Sequence, residues 1–163
     1  MKILGIDPAL NKLGYGILSA EGNRVSVGLH GTVCPKRTLS YNEKLIHLHR
    51  ELETIVAANA PDVIAMEEIY LDKNVRVALK IGQVMGIVIG IGLCHNLPFA
   101  LIPPREIKQA VTGTGAATKE QVRFMVEQLT GKQIKGTMDE SDAIAAAFSY
   151  LSWKKEDDLL RYR

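Results

Sequence analysis

Three short stretches carry acids where chemistry could use them: K-I-L-G-I-D (Lys2–Asp7), D-V-I-A-M-E (Asp62–Glu67) and M-D-E-S-D (Met138–Asp142). The first two are apolar runs that end in an acid. The third opens an Ala-rich run, A-I-A-A-A-F (Ala143–Phe148), that reads as a buried helix. Asp139 and Asp142 are three apart, so on a helix they share a face and repel unless a cation lies between them. Four acids, Asp7, Glu67, Asp139 and Asp142, could therefore hold divalent ions. An all-oxygen donor set suits Mg²⁺ or Mn²⁺ and not Zn²⁺. Two such ions ~4 Å apart are the arrangement that hydrolyses phosphodiesters. Each acid also has a plainer reading. Asp7 precedes Pro8 and could form a turn, Glu67 or Glu68 could be a surface residue, and Asp139 could cap a helix. Glu140 and Ser141 are expected to face solvent.

For the acids to meet, particular elements must carry them. Lys2–Asp7, Gly14–Ser19 and Arg24–Val33 read as three meandering antiparallel strands, with E-G-N (Glu21–Asn23) as a turn. Ser40 and Glu43 fit a capping box, and Leu45, Ile46, Leu48, Leu52, Ile55 and Val56 recur at helical spacing to about Asn59. The strand Asp62–Glu67 follows that helix, so a crossover sets it parallel to the first strand. Both acid-bearing ends then emerge at the carboxyl edge of the sheet, where open α/β sheets bind ligands. A long helix runs from Asn74 to about His95, and Leu97–Ile102 is a fifth strand. Helices follow from Pro103 to about Val111, from Glu120 to Leu129 behind a Thr118–Gln121 capping box, and through the last acids to about Trp153. The charged residues 154–163 form a tail. This is an α/β fold in one domain, residues 1–153, with a five-stranded mixed sheet and helices on both faces.

The totals agree. The 163 residues suit one domain with a real core, and a net charge of +2 does not by itself announce nucleic acid. Cys34 and Cys94 have no metal-ligand spacing. Met1 leads straight into a strand pattern, so reduced thiols in the cytoplasm are expected. His30, His47, His49 and His95 form no metal set. Ile81–Leu93 is almost uncharged but shorter than the ~20 apolar residues a bilayer needs, and no membrane is expected. Gly82, Gly86 and Gly90 make a stripe along that helix. Core packing is the leading reading and a subunit interface the second. T-G-T-G (Thr112–Gly115) lacks the spacing of a nucleotide-binding loop.

Five blocks in register resemble one family: G-I-D-P-A-L-N-K-L-G-Y-G (Gly5–Gly16), A-M-E-E-I-Y-L-D-K-N (Ala65–Asn74), A-L-K-I-G-Q-V-M-G (Ala78–Gly86), R-E-I-K-Q-A-V-T-G-T-G-A-A-T-K-E-Q-V (Arg105–Val122) and D-E-S-D-A-I-A-A-A (Asp139–Ala147). The family is RuvC, the bacterial crossover-junction endodeoxyribonuclease or Holliday junction resolvase. The resemblance implies a ribonuclease-H-like fold and a homodimer. It also implies a Mg²⁺-dependent endonuclease with two ions per site, Mn²⁺ being able to substitute, that resolves four-way junction DNA by paired symmetric nicks. It places the catalytic acids on Asp7, Glu67, Asp139 and Asp142, and it favours Glu67 over Glu68. In this reading Asp7 bridges two ions, Glu67 and Asp142 hold one each, and Asp139 is a further ligand or positions water. Lys119 and Lys108 fall where the family steadies the cleaved phosphate. Tyr70 falls where an aromatic meets the opened bases. Lys73, Arg76, Lys80, Arg105 and Arg123 complete the expected DNA-binding set. The helix after Asn74 matches the dimer helix, which moves the glycine stripe toward an interface. Branch-migration proteins of the RuvA and RuvB type are the implied partners. Ala9 stands where the family usually has Gly, and Tyr70 where it more often has Phe. The alternatives are another ribonuclease-H-like nuclease acting on hybrids or flaps, an actin-like ATPase or sugar kinase (for which one domain is too little), and a non-catalytic junction-binding protein.

Overall fold

A computed structural model describes residues 1–22, 24–69 and 74–161. Strands β1 (Lys2–Asp7), β2 (Leu13–Glu21) and β3 (Arg24–Val33) form an antiparallel meander. Helix α1 (Tyr41–Asn59) crosses over to β4 (Val63–Glu67), and α2 (Val75–Cys94) crosses over to β5 (Phe99–Ile102). Helices α3 (Pro104–Thr112), α4 (Lys119–Thr130) and α5 (Met138–Arg161) complete the chain. The sheet order is β3-β2-β1-β4-β5. β1 pairs with β2 antiparallel and with β4 parallel, and β4 pairs with β5 parallel. This is the ribonuclease-H-like arrangement that the family resemblance implies.

Both expected capping boxes are present. The Ser40 hydroxyl accepts from the Glu43 N–H while the Glu43 carboxylate accepts from the Ser40 N–H, and Thr118 with Gln121 repeats the pattern.

Strand alternation sorts the core into two layers. Ile3, Val63 and Ala65 point to one face, where they pack with Ile107, Val122, Ile144 and Ala147 of α3, α4 and α5. Leu4, Ile6, Ile64 and Met66 point to the other, against Leu48, Leu52, Val84 and Val88 of α1 and α2. The parity has a consequence at the strand ends. Asp7 follows Ile3 and Gly5 on the α5 face, and Glu67 follows Val63 and Ala65 on that same face. Glu68 has the opposite parity.

Helix α5 lies directly on the sheet because glycines clear its path. A Cβ on Gly5 would overlap the Ala143 carbonyl oxygen, and one on Gly14 would overlap that of Asp139. Gly14 is the cross-strand partner of Asp7, so this contact sets the first turn of α5 over the end of β1.

Two expectations change. Gly82, Gly86 and Gly90 meet nothing within 4 Å of a built Cβ, so the stripe faces outward and does not serve core packing. Val84, Met85, Val88 and Ile91 carry the buried face of α2 instead. By length and composition alone α2 is long and apolar enough to cross a membrane, a test that core helices also pass, and one of its faces is committed to the sheet and α1. Finally, α5 does not stop near Trp153 but continues to Arg161.

Candidate active site

The site lies at the carboxyl edge of β1 and β4, under the first turn of α5. Ile6 pairs with Met66 in parallel register, so Asp7 and Glu67 extend side by side from neighbouring strands. Asp142 sits one turn into α5 with its side chain only 11% exposed. Glu67 and Asp142 line a cavity of about 180 Å³ with Lys108, Lys119, Pro104, Ile107 and Val122. Asp139 stands over Gly14, beside Asp7.

Electrostatics shows how closely these acids are gathered. Burial, then the charges of Asp142 and Glu67, push the Asp7 carboxyl from 3.8 up to about 7; Lys119 opposes this and Asp139 adds to it. Burial and the Asp142 charge likewise raise Glu67, against Lys119 and Lys108. A cluster of this kind pays in desolvation and repulsion for carboxylates that it holds ionised at neutral pH.

Two lysines offset part of that cost. Lys119, the first residue of α4, places its Nζ 2.5 Å from Asp142 Oδ2, and this hydrogen bond raises the pKa of the ammonium. Lys12, in the loop between β1 and β2, places its Nζ 2.7 Å from Asp139 Oδ2. The Thr137 hydroxyl donates to the same oxygen at 3.1 Å. Burial works against Asp139, but these two donors outweigh it and hold its carboxyl below the ordinary value.

The first turn of α5 is itself clamped. Glu140 and Ser141 are 7% and 0% exposed, not solvent-facing as expected. The Glu140 carboxylate accepts the Thr137 N–H at 2.9 Å and pairs with His30 Nδ1 of β3 at 2.7 Å. Gly136 makes room for it, since a Cβ there would overlap the carboxylate. Thr137-x-x-Glu140 is thus half of a capping box, with the threonine hydroxyl diverted to Asp139. The Ser141 hydroxyl donates to the Met138 carbonyl at 2.8 Å.

Among the described residues, no three His, Cys, Asp or Glu side chains are gathered as tightly as a bound metal ion would hold them. Ammonium groups stand against Asp139 and Asp142 instead. The donor set still fits hard divalent cations: every candidate ligand is a carboxylate, and Asp7 and Glu67 have raised pKa values that a nearby cation would relieve.

The structure brings Asp7, Glu67, Asp139, Asp142, Lys108 and Lys119 together. The other expected DNA contacts are more scattered. Arg76 and Lys80 are exposed on the first turns of α2, and the Lys80 Nζ lies 5.7 Å from the centroid of the Tyr41 ring. Arg105 is exposed on α3 beside Gly115. Arg123 donates through its guanidinium to the Ile134 carbonyl and to Glu127 and so braces the loop before α5. Tyr70 and Lys73 lie outside the described residues. Glu68 lines a separate cavity of about 580 Å³ with Ala78, Leu79, Gly82 and Leu101.

Sequence reasoning missed Lys12, Thr137, Glu140 and His30. The T-x-x-E spacing at Thr137 was available, whereas nothing in the sequence marks Lys12 except its place five residues after Asp7.

One family pattern, Crossover junction endodeoxyribonuclease RuvC, matches residues 3–150. Relatives of that name include the protein of Pelodictyon phaeoclathratiforme, 39% identical over 148 residues that cover 90% of this chain and 78% of the relative. The protein of Alkaliphilus oremlandii is 37% identical over 151 residues, 92% of each chain. Among solved structures, Thermus thermophilus RuvC in complex with a Holliday junction substrate superposes with a TM-score of 0.90 at 24% identity, covering 96% of both chains. The yeast mitochondrial Holliday junction resolvase Ydc2 does so at 0.74 and 12% identity, over 98% of this chain and 83% of its own. A pattern spanning nearly the whole chain, and relatives this similar over most of their own lengths, establish that the chain belongs to the RuvC family of crossover junction endodeoxyribonucleases.

Proposed function

We propose that this protein resolves four-way DNA junctions by paired symmetric nicks, acting as a Mg²⁺-dependent endonuclease in which Asp7, Glu67, Asp139 and Asp142 hold two ions. The observation that carries the metal-holding reading is the Asp7 carboxyl, whose pKa rises to about 7 among the charges of the other three acids. Cation binding accounts for four acids kept at one sheet edge. Ions held there supply an activated water and a counter-charge for the leaving oxygen.

The chain's own side chains do the rest. Glu67 and Asp142 share one cavity with Lys108 and Lys119, so those ammonium groups stand beside the acids where a scissile phosphate must lie. There they offset negative charge as it develops on the non-bridging oxygens. Lys119 is the first residue of α4, at the end of the helix whose dipole favours an anion. Arg76, Lys80 and Arg105 supply further exposed positive charge for the DNA backbone.

The outward glycine stripe of α2, flanked by exposed Val75, Leu79 and Leu93, supports a homodimer through that helix, with two sites facing two strands of one junction. Branch-migration proteins of the RuvA and RuvB type as partners, and a cytoplasmic location, belong to this proposal. The test is incision of a synthetic four-way junction beside an RNA–DNA hybrid and a flap, with Mg²⁺ or with EDTA, mapped on every strand. Symmetric cuts on opposed junction strands, absent in EDTA, are expected. Preference for the hybrid or the flap would overturn the reading.

A further inference from the structure

The two acids in the first turns of α5 are each held by a lysine, and from different elements. Lys119 comes from α4 to Asp142. Lys12 comes across from the β1–β2 loop to Asp139, with its side chain 41% exposed. Lys12 is unlike the loop's other residues in reaching the acid cluster with a full positive charge. A lysine is a compact charge on a four-carbon stem with freely rotating donors. It can leave one acceptor for another without moving the backbone. The carboxylate it holds belongs to the cluster whose mutual repulsion is strongest when no cation is present.

We propose that Lys12 is a built-in counter-ion of the metal site: it occupies Asp139 while the site is empty and is handed to a DNA phosphate when a divalent ion takes that carboxylate. This inference rests on the metal-holding reading of the four acids. Two opposite effects follow from one side chain. Lys12 competes with the metal in the free protein, and it contributes to DNA binding once the metal is in place. A lysine serving only stability would do neither.

The experiment compares wild type, Lys12→Met and Lys12→Arg as full-length chains. Titration calorimetry with Mn²⁺ at pH 8, without DNA, measures metal affinity. Thermal unfolding in EDTA and at saturating Mn²⁺ separates a counter-ion from a general stabiliser. Junction binding in Ca²⁺, which holds the site without supporting rapid cutting, measures the phosphate contact as a function of salt. Lys12→Met should bind Mn²⁺ about fivefold more tightly than wild type, the factor set by the upper range for a partly exposed ion pair. It should melt below wild type in EDTA but level with it at saturating Mn²⁺. Its junction affinity should fall, with a salt slope shallower by ~0.9, the value of one phosphate contact. Lys12→Arg, which keeps the charge, should stay near wild type in all three. An unchanged Mn²⁺ midpoint in Lys12→Met, or a melting deficit that persists with Mn²⁺, would overturn the inference while leaving the metal site intact. Failure of wild type to bind Mn²⁺ at all would overturn the metal-holding reading and this inference with it.

Discussion

Replacing Asp7 with Asn removes the carboxylate that the fold tolerates least, and the consequence for stability has a calculable sign. In the folded protein the Asp7 carboxyl titrates at about 7, against 3.8 ordinarily. A carboxyl raised on folding favours the folded state while it stays protonated. That advantage is complete below pH ~4 and is lost progressively as pH rises to about 7, where the folded protein must ionise it too. Each unit of difference corresponds to ~1.4 kcal/mol, so ionised Asp7 costs the metal-free protein up to about 4 kcal/mol at pH 8. At pH 5 less than half of that is felt. Asn keeps the shape without the charge, so the stability gap between Asp7→Asn and wild type should widen by about 2–3 kcal/mol from pH 5 to pH 8. For a chain of this size that is a difference of roughly 5–10 °C in Tm. Urea unfolding in EDTA at the two pH values measures it. Junction incision should be abolished in the variant while junction binding persists. A gap that does not change with pH, or a variant less stable than wild type at pH 8, would refute the reasoning that burial and the neighbouring acids strain Asp7.

Gly14→Ala drives a methyl into the Asp139 carbonyl. The first turn of α5 must lift, at about 1–3 kcal/mol of overpacking, and incision should fall at least 100-fold in a protein that still gives a native circular-dichroism spectrum. Glu140→Ala leaves the Thr137 N–H and His30 without their buried partner. Thermal unfolding should show a loss of about 1–3 kcal/mol, with Glu140→Gln recovering part of it. Lys119→Met should lower the single-turnover rate on a saturating junction by 100- to 1,000-fold, the scale seen when one stabiliser of developing charge is removed. Junction affinity should change far less than the rate.

Much of the fold follows from local patterns because those patterns are governed by local physics. The Ser40–Glu43 and Thr118–Gln121 boxes satisfy backbone groups within four residues, so spacing alone reveals them. The crossover from β3 through α1 makes β4 parallel to β1, and that alone brings Asp7 and Glu67 to one edge. Choosing Glu67 over Glu68 needed the resemblance, although strand parity contains the answer: once β1 and β4 share a register, Asp7 and Glu67 must face α5 together. What escaped depends on contacts between distant segments. Gly14 reads as an ordinary strand glycine until α5 lies on it. Glu140 reads as a solvated helix residue until His30, 110 positions away, comes beneath it. The glycine stripe of α2 looks like a packing surface of the core because the sequence cannot say which side of a helix meets the sheet. Lys12 sits in a loop, and the acid it reaches comes from α5, far along the chain.

The central claim is that carboxylates from β1, β4 and α5 jointly bind divalent cations. Anomalous scattering from crystals soaked in Mn²⁺ tests it most directly. The expected map has Mn²⁺ peaks within coordination distance of Asp7, Glu67, Asp139 and Asp142, with Lys12 and Lys119 displaced from the acids they hold in the free chain. Peaks confined to other surfaces, with both lysines still on Asp139 and Asp142 at saturating Mn²⁺, would contradict it.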